Sequence, residues 1–480
     1  MRRTVLLLVS VALSVVLLSG VWSTPSREAQ AITAKPNIVF ILADDMRKDD
    51  LTYMPKTRSL LGNGGMTFSN AYVSNSLCCP SRATIMRGQY AHNTGVWDNV
   101  NDTDGGWQGY KSNNGNNETD NIATRLRNDA GYRTALIGKY LNGYNNTTYK
   151  PPGWDKWFAT FTFDYFNYDV NNNGTIKHFG TTDSAYLTDV LRKQTESFID
   201  ASVAKRKPFF AYVTPLAPHA PAQPASRDLH TYDGVKAPQL DSFNDAEVSD
   251  KPPWIQSLPI LTSTQIADLD KRHEKRVETL QALDDLVEGV VNKLQGSGQL
   301  SNTYIVFTSD NGYHSGEHRI IHGKGRPYEE DNHMPLLIRG PGVAAGSSTD
   351  KLVLNTDYFP TFTELAGIQS PSYVDGRSLQ PLLTGTATDL NWRRAILLEA
   401  HQSKQGGETP TYSGILTNSG SKYIEYEGGV REFYDLGADP SELTNIYDPA
   451  TPPEDLMGRL NELRRCSHAG VTCRQAEDEQ

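Results

Sequence analysis

The amino-acid sequence predicts an α/β fold, in which a large, mostly parallel sheet flanked by helices is followed by a smaller C-terminal antiparallel sheet with one helix. Three observations predict this fold. Apolar runs of strand length recur through most of the chain, helical segments separate them, and from about Asp389 the pattern changes to short strands joined by tight turns. Strands that alternate with helices favour a parallel sheet with both faces covered.

The predicted strands of the large sheet are continuous apolar runs, as expected of strands that are buried on both faces. The first, Asn37 to Leu42, is rich in β-branched residues. Later runs lie in "YRTALIGKY", in "KPFFAYVTPLAPHAP" at Phe209 to Val213, in "NTYIVFTSDNGYHSGEH" at Tyr304 to Thr308, and in "NHMPLLIRGPG". The clearest helix between them is Ser263 to Leu294, with apolar residues at spacings of three and four.

The C-terminal part has a different character. "RRAILLEA", "YSGILT", "SKYIEY" and "REFYDL" read as short strands, and a helix follows at Pro453 to Arg465. At 480 residues the chain is longer than one hydrophobic core usually supports. The predicted organisation is a signal peptide at residues 1–31, a large α/β domain at 32–388 and a small α+β subdomain at 389–480.

The first residues have the composition of a signal peptide. Arg2 and Arg3 precede an apolar run, Val5 to Leu18, and Ala29-Gln30-Ala31 resembles a cleavage site. The alternative is an uncleaved anchor, because Val5 to Trp22 is nearly long enough to span a bilayer. With cleavage, we expect a protein that is secreted, periplasmic or at the cell surface, without a membrane segment.

The net charge argues against two classes of partner. The formal charge is −10, and residues 1–31 carry three Arg and one Glu, so the mature chain is near −12. Nucleic acids and anionic membrane surfaces are therefore poor partners. A highly sulfated polymer would also be repelled at long range, unless a local basic pocket overrides the net charge.

Polar residues stand at four predicted strand ends, and ligands of such sheets bind outside the carboxyl ends of the strands. These residues are Asp44-Asp45, Lys139, His219 and Asp310-Asn311. Acidic residues after a strand often cap the next helix. Two such groups at equivalent strand ends favour instead a hard divalent cation, and Ca²⁺ accepts an amide oxygen and irregular geometry more readily than Mg²⁺.

The segment "SLCCPSRATIMRGQY" holds two of the four cysteines side by side. Cys78 and Cys79 cannot easily bridge each other across one peptide bond. Pro80 suits the first turn of a helix, so Cys78 lies at a helix N-terminus, where an anion is favoured. Arg82, four residues on, returns to the same face and offers a guanidinium to a tetrahedral oxyanion. Lys139 and Lys324 either add charge there or are solvated surface residues.

These residues carry a resemblance to a known family. "CCPSR" resembles the Cys-x-Pro-Ser-Arg signature of the type I sulfatases, members of the alkaline phosphatase superfamily. "ILADD", "GKYLN", "PHAP", "TSDNGYHSGEH", "GKGRPYEE", "PLLIRGPG" and "FYDLGADPSELTNIY" accompany it in order along the chain. "GKYLN" and "DNGYH" are most similar to the branch of N-acetylglucosamine-6-sulfatases and extracellular heparan sulfatases, which implies a role in glycosaminoglycan degradation.

The resemblance implies a cofactor and a set of roles. A separate maturation enzyme would oxidise Cys78 to Cα-formylglycine, and Cys79 would be a bystander. Residue 78 would hold a Ca²⁺ (or Mg²⁺) together with Asp44, Asp45, Asp310 and Asn311. Arg82 would stabilise the hydrated aldehyde, Lys139 and Lys324 would neutralise the sulfate, and His219 and Lys324 would lie beside the leaving oxygen. The fold implied is alkaline phosphatase-like.

One departure from the family concerns the base that expels the sulfate. Many sulfatases have a histidine two residues after the "GK" lysine, where this chain has Leu141. His92 or His314 offers a replacement, although a lone histidine is more often structural. Cys466 and Cys473 are close in sequence, and we expect one disulfide there in an oxidising compartment.

The leading functional prediction is an exported sulfatase that acts on a sulfated carbohydrate. Two alternatives stay open: a phosphatase or phosphonate monoester hydrolase of the same superfamily, and a silent sulfated-glycan-binding protein whose Cys78 is never converted. The sequence does not identify the residues that bind the sugar.

Overall fold

The computed structural model of the protein describes residues 35–145, 147–388, 391–404, 410–467 and 472–479. The predicted signal peptide, residues 1–31, lies outside this part of the chain. From Lys35 onward the chain forms one compact unit. Within the ranges just given, no helix has the length and apolar character needed to cross a bilayer.

A mixed sheet of eleven strands forms the centre of the molecule. Its middle strands follow the order β8-β1-β7-β3-β4, and these five strands are parallel to one another. The strands are β1 Asn37–Ala43, β2 Met66–Tyr72, β3 Arg133–Lys139, β4 Lys156–Thr160, β5 Tyr168–Asn172, β6 Thr175–Phe179, β7 Phe209–Thr214, β8 Thr303–Ser309, β9 His333–Arg339, β10 Ser347–Thr349 and β11 Val353–Leu354. The predicted fold class is confirmed.

The periphery of this sheet departs from a purely parallel arrangement. The strand in "NHMPLLIRGPG" is β9, which runs antiparallel to both β8 and β2. At the other side β4, β5 and β6 form antiparallel pairs. Tight connections such as the one from β5 to β6 permit this, because antiparallel strands need only a short turn whereas parallel strands need a crossover.

The central strands are buried on both faces, as their apolar sequences predict. In β1 alternate side chains enter two separate cores: Ile38, Phe40 and Leu42 face one, and Val39 and Ile41 face the other. Helices cover both faces. The α-helices are α1 Pro55–Thr57, α2 Cys78–Arg87, α3 Ala91–Thr94, α4 Gly106–Ser112, α5 Ile122–Asn128, α6 Leu187–Ala204, α7 Pro253–Gln256, α8 Ser263–Gly296, α9 Glu329–Asn332, α10 Tyr358–Leu365, α11 Gln380–Leu383, α12 Glu454–Leu463 and α13 Cys473–Asp478.

Helix α8 is the longest of these elements and begins where the sequence predicts. Its N-terminus carries a capping box, in which the Thr262 side chain accepts from the Gln265 N–H and the Gln265 side chain accepts from the Thr262 N–H. The helix continues to Gly296, two residues beyond the predicted end.

A second, antiparallel sheet follows, with the strand order β12-β13-β14-β15. Its strands are β12 Ala395–Ala400, β13 Tyr412–Thr417, β14 Ser421–Tyr426 and β15 Arg431–Asp435. Helix α12 covers it as predicted, and α13 is an additional short helix that the sequence did not indicate. A disulfide joins Cys466 to Cys473, at the start of α13. The proposed domain boundary at residue 388 stays a prediction.

A buried ion-pair network ties α13 to α10 and β12. Arg393 is 1% exposed, and its guanidinium lies 2.5 Å from Asp357 Oδ1 and 3.2 Å from Glu477 Oε2. Tyr90 donates a hydrogen bond to the other Glu477 oxygen at 2.7 Å. Arg393 therefore joins two carboxylates from different parts of the fold, and Arg377, 2.9 Å from Glu477 Oε2, shares the neutralisation of Glu477.

We expect Arg393→Ala to destabilise the protein by about 3–5 kcal/mol, because it leaves the buried Asp357 carboxylate without its cation and leaves Glu477 with Arg377 alone. Urea unfolding followed by tryptophan fluorescence measures the loss. The matched control is Arg394→Ala, which removes a half-buried arginine without an ion pair among the described residues and should cost less than about 0.5 kcal/mol. Equal losses for the two variants would contradict the assignment.

Candidate active site

The acidic residues meet because of the register between β1 and β8. The two parallel strands pair from Asn37 opposite Thr303 to Ala43 opposite Ser309, so the residues after each strand stand level. The Asp45 N–H donates to Asp310 Oδ1 at 3.2 Å, and Asn311 Nδ2 donates to Asp45 Oδ1 at 2.7 Å.

The predicted cluster of Asp44, Asp45, Asp310 and Asn311 is therefore brought together, and each of these residues is at most 2% exposed. None of the four serves as a helix N-cap in the part of the chain that the structure describes. The helix-capping alternative is wrong for them.

Cys78 begins helix α2 and faces this cluster. Its Sγ lies 3.5 Å from Asp44 Oδ1 and 4.0 Å from Asp45 Oδ1, and the residue is 1% exposed. The N-terminus of α2 is held by Asn99, whose Oδ1 accepts from the Cys79 N–H at 2.8 Å. Cys79 points elsewhere: its Sγ accepts from the Asn142 N–H at 3.0 Å.

Three further predicted residues bring positive charge or a ring nitrogen to the same place. Lys139, the last residue of β3, places Nζ 2.6 Å from Asp44 Oδ2. Lys324 Nζ lies 2.7 Å from Cys78 Sγ and contacts Asp45 Oδ1. His219 Nε2 lies 3.6 Å from Asp45 Oδ2, and its Nδ1 lies 2.5 Å from the Ala220 carbonyl. Neither lysine is a solvated surface residue.

Arg82 reaches the cluster, as the sequence suggested, and its guanidinium lies among two carboxylates and a backbone carbonyl. Its Nε donates to Asp310 Oδ2 at 2.7 Å, and Nη1 donates to the Lys139 carbonyl at 3.0 Å. Its Nη2 lies 3.5 Å from Asp44 Oδ2, and the residue is 1% exposed. The negative charge of two carboxylates therefore holds Arg82 in place, and its predicted part in binding an oxyanion stays a prediction.

The pKa values reflect this crowding of charge. Burial alone raises the pKa of the Asp44 carboxyl, but Lys139, His219 and Arg82 outweigh it and hold this pKa below its usual range. Burial, with the charge of Asp44, instead raises the pKa of Asp310. Burial raises the pKa of the Cys78 thiol to about 12, so an unmodified Cys78 is a protonated thiol at neutral pH.

The donor set fits a hard divalent cation. Asn311 Oδ1 is buried and has no hydrogen-bond partner among the described residues, so its lone pairs are available to an ion. Ligand atoms of Asp44, Asp45, Cys78 and His219 lie within 4.8 Å of one another. Several oxygens, one of them an amide oxygen, match the preference of Ca²⁺.

Sequence reasoning missed two residues of the site. Phe163 stacks on the His219 ring at 4.8 Å between centroids, and Lys139 Nζ lies 4.9 Å from its ring centre. Arg276 of α8 donates from Nη2 to the Asp45 carbonyl at 2.6 Å. Arg276 could have been found, because it is a charged residue on the buried face of α8, next to Val277. Phe163 lies in an irregular segment, and no sequence pattern indicated it.

The two histidines suggested as replacement bases are engaged elsewhere. His92 Nδ1 lies 2.9 Å from Glu399 Oε2, and its Nε2 lies 2.9 Å from the Cys466 carbonyl. His314 Nδ1 lies 2.7 Å from Asp331 Oδ1. Leu141 is 3% exposed and contributes no proton acceptor. Both ring nitrogens of His92 are thus engaged, whereas His314 Nε2 has no hydrogen-bond partner among the described residues and the part of His314 as a base stays a prediction.

Comparison with known proteins identifies the family of the chain. A family model described as "Sulfatase" matches residues 36–368, and one described as "N-sulphoglucosamine sulphohydrolase, C-terminal" matches residues 316–465. Human N-acetylglucosamine-6-sulfatase is 36% identical in an alignment of 490 positions, gaps included, that covers 92% of this chain and 86% of that protein. The extracellular sulfatase SULF-1 homolog of Drosophila melanogaster is 38% identical, over 78% of this chain and 34% of that protein.

A solved structure described as a complex with its substrate, D-glucosamine-2-N,6-O-disulfate, superposes with a TM-score of 0.74 at 25% identity. The match covers 90% of this chain and 98% of that one. Both the resemblance read from the sequence and the branch within the family are confirmed. The chain belongs to the sulfatase family, and it is a hydrolase of sulfuric esters.

Proposed function

We propose that the protein removes the 6-O-sulfate from glucosamine units of a sulfated glycan, with Cα-formylglycine at position 78 and a bound Ca²⁺. The observation that carries this proposal is the placement of Cys78. Its side chain lies at the N-terminus of α2, 3.5 Å from Asp44 and 2.7 Å from Lys324. The named relatives act on N-acetylglucosamine 6-sulfate or bind a 6-O-sulfated glucosamine, which supports the choice of sugar.

Conversion of Cys78 supplies the nucleophile. A hydrated aldehyde offers one hydroxyl to attack sulfur and a second whose deprotonation expels sulfate, whereas a thiol offers neither. The chain's own part is to place that side chain. Asn99 fixes the first turn of α2, and Lys324 Nζ and Asp45 Oδ1 flank the position of residue 78.

The cation would be held by Asp44, Asp45, Asp310, Asn311 and residue 78. It would act as a Lewis acid that polarises the sulfate oxygens and lowers the pKa of the nucleophile. Arg82 orients this ligand set, because it binds Asp310 and lies beside Asp44. Oriented ligands do not have to reorganise when substrate arrives.

The remaining cations serve the sulfate and the leaving oxygen. Lys139 Nζ and Lys324 Nζ neutralise charge on the sulfate. His219 Nδ1 faces the Ala220 carbonyl, so its Nε2 is the nitrogen directed at the site. We assign the proton of the leaving oxygen to Lys324 Nζ, an ammonium group that lies between the nucleophile and Asp45.

A polar cavity beside Lys324 is suited to the sugar. It has a volume of about 240 Å³, and its lining includes Leu77, which precedes the nucleophile, together with His322, Arg326 and His401. His401 is itself fixed by stacking on Trp97, with ring centroids 3.7 Å apart. Fixed ring nitrogens and a guanidinium provide donors for sugar hydroxyls.

We expect the wild-type protein with residue 78 converted to hydrolyse p-nitrophenyl sulfate faster than p-nitrophenyl phosphate. Among monosulfated sugars, N-acetylglucosamine 6-sulfate should be the best substrate, measured by release of inorganic sulfate. Preference for the phosphate would favour the phosphatase alternative. A better rate on a 3-sulfated glucosamine would overturn the assignment of position 6.

Cys78→Ala should abolish turnover, whereas Cys79→Ala should keep it nearly unchanged. Cys79 loses one hydrogen bond from Asn142 on substitution, a cost of about 1 kcal/mol in stability. Mass spectrometry of the peptide around residue 78 gives the fraction converted in each preparation. Comparable loss of activity in the two variants, at equal conversion, would show that the wrong cysteine was chosen.

Removal of the metal should abolish activity reversibly. We expect chelation by EDTA to stop turnover and added Ca²⁺ to restore it better than Mg²⁺ does. Asn311→Leu, which keeps the volume but removes the oxygen ligand, should lower bound Ca²⁺ by about tenfold or more in elemental analysis. The control is Asn302→Leu at the opposite end of β8, and an equal loss of Ca²⁺ there would refute the ligand set.

A further inference from the structure

Between residues 270 and 276, helix α8 carries its acidic and its basic side chains on different faces. Asp270 and Glu274 are four residues apart and therefore share a face. Asp270 Oδ1 accepts from the Ala237 N–H at 3.0 Å, and Glu274 Oε2 accepts from the Gly234 N–H at 2.9 Å. The acids of this stretch are thus used to hold the loop at residues 234–237.

The basic residues of the same stretch line a cavity of about 470 Å³. They are Lys271, Arg272, Lys275 and Arg276, and Asp268 is the one carboxylate beside them among the described lining residues. Arg276 is engaged, since it lies 3.0 Å from Asp50 Oδ2 and donates to the Asp45 carbonyl. The other three are exposed, and within the described ranges none has a carboxylate within 4.0 Å. We call this cavity the α8 cation cavity.

This arrangement concentrates positive charge that an anion would offset. Lys271 with Lys275, and Arg272 with Arg276, are like-charge pairs at a spacing of four, which destabilises a helix. Four cations on one wall are also unexpected in a chain of net charge −10. The nearby acids Asp270 and Glu274 keep their charge but are directed at the loop, and neither forms an ion pair with these cations within the described ranges.

The cavity adjoins the active site. Its wall includes Ala220, the residue after His219, and Tyr313, two residues after Asn311. Arg276 stands at the boundary, because it lines the cavity, lies 4.4 Å from the Tyr313 ring centre and binds the Asp45 backbone. A group in the cavity can therefore belong to the same molecule whose sulfate is cleaved.

We propose that the α8 cation cavity binds an oxyanion, a sulfate or carboxylate, on a sugar next to the one that is desulfated. Lysine and arginine donate charge-assisted hydrogen bonds to such groups. The preferred substrate is then a glycan with more than one anionic group, rather than a monosulfated monosaccharide. This inference rests on the proposed function and adds a second binding site to it.

The test measures binding in a Cys78→Ala background, so that it does not depend on turnover. Dissociation constants are determined by calorimetry for N-acetylglucosamine 6-sulfate and for a heparin-derived tetrasaccharide. We expect Lys271→Gln/Arg272→Gln/Lys275→Gln to weaken tetrasaccharide binding, relative to monosaccharide binding, by about tenfold or more, as expected for the loss of several charge-assisted contacts. A desulfated tetrasaccharide that keeps its carboxylates identifies the group: a persisting effect assigns the cavity to carboxylate, and a lost effect assigns it to sulfate.

The matched control is Lys193→Gln/Lys205→Gln/Lys207→Gln, which removes the same charge from exposed residues on and just after α6, next to the start of β7. Its tetrasaccharide affinity should stay within about twofold. Equal weakening by the two triple variants would show only long-range electrostatics, and no selective weakening would show that the cavity is unused. Either result overturns the inference. Failure of the proposed function shows separately, as a converted wild-type protein that does not release sulfate.

Discussion

The parallel pairing of β1 with β8 is the constraint on which the rest of the site depends. It places the segment of Asp44 and Asp45 beside Asp310 in a buried position, and carboxylate oxygens of Asp44 and Asp45 themselves lie within 4.8 Å of each other. Two like charges at that separation repel by about 3–4 kcal/mol at an effective dielectric constant of about 20. The fold offsets this repulsion with Arg82, Lys139 and Lys324, which come from one helix, one strand and one loop.

This balance explains why the cations have different tasks although their chemistry is similar. Arg82 is fully buried and its planar fork spans two carboxylates and a carbonyl, so it maintains the ligand set. Lys324 ends in a point charge beside residue 78 and retains donors for a substrate. Adjacent residues on a helix differ by about 100° in direction, so Cys78 faces the acids while Cys79 packs beside Asn142.

Most of the central sheet, and the group of polar residues that lies together at the candidate site, could be predicted from the sequence. Buried parallel strands have continuous apolar sequences, and their polar ends mark the site, as with Asp310-Asn311 after β8. The direction of β9 could not be predicted, because an apolar run does not specify its partner. The hydrogen-bond partners of Arg82 could not be predicted either. Helical spacing gives the face on which a side chain lies, but not which of the nearby polar groups it binds.

The same limit applies to α8. Its segment "DLDKRHEKR" mixes acidic and basic residues, and the sequence does not show which of them is bound by the rest of the protein. The three-dimensional arrangement removes that ambiguity, because backbone N–H groups at Gly234 and Ala237 bind the acids and leave the cations facing a cavity. Net charge is therefore a poor guide to the partners of this protein. The field of a net charge of −10 is screened within about 8–10 Å in physiological salt, whereas the three cations of α8 that have no ion pair among the described residues act at contact distance. The proposed second site therefore requires only that these contacts outweigh the screened repulsion of a polyanion by the rest of the surface.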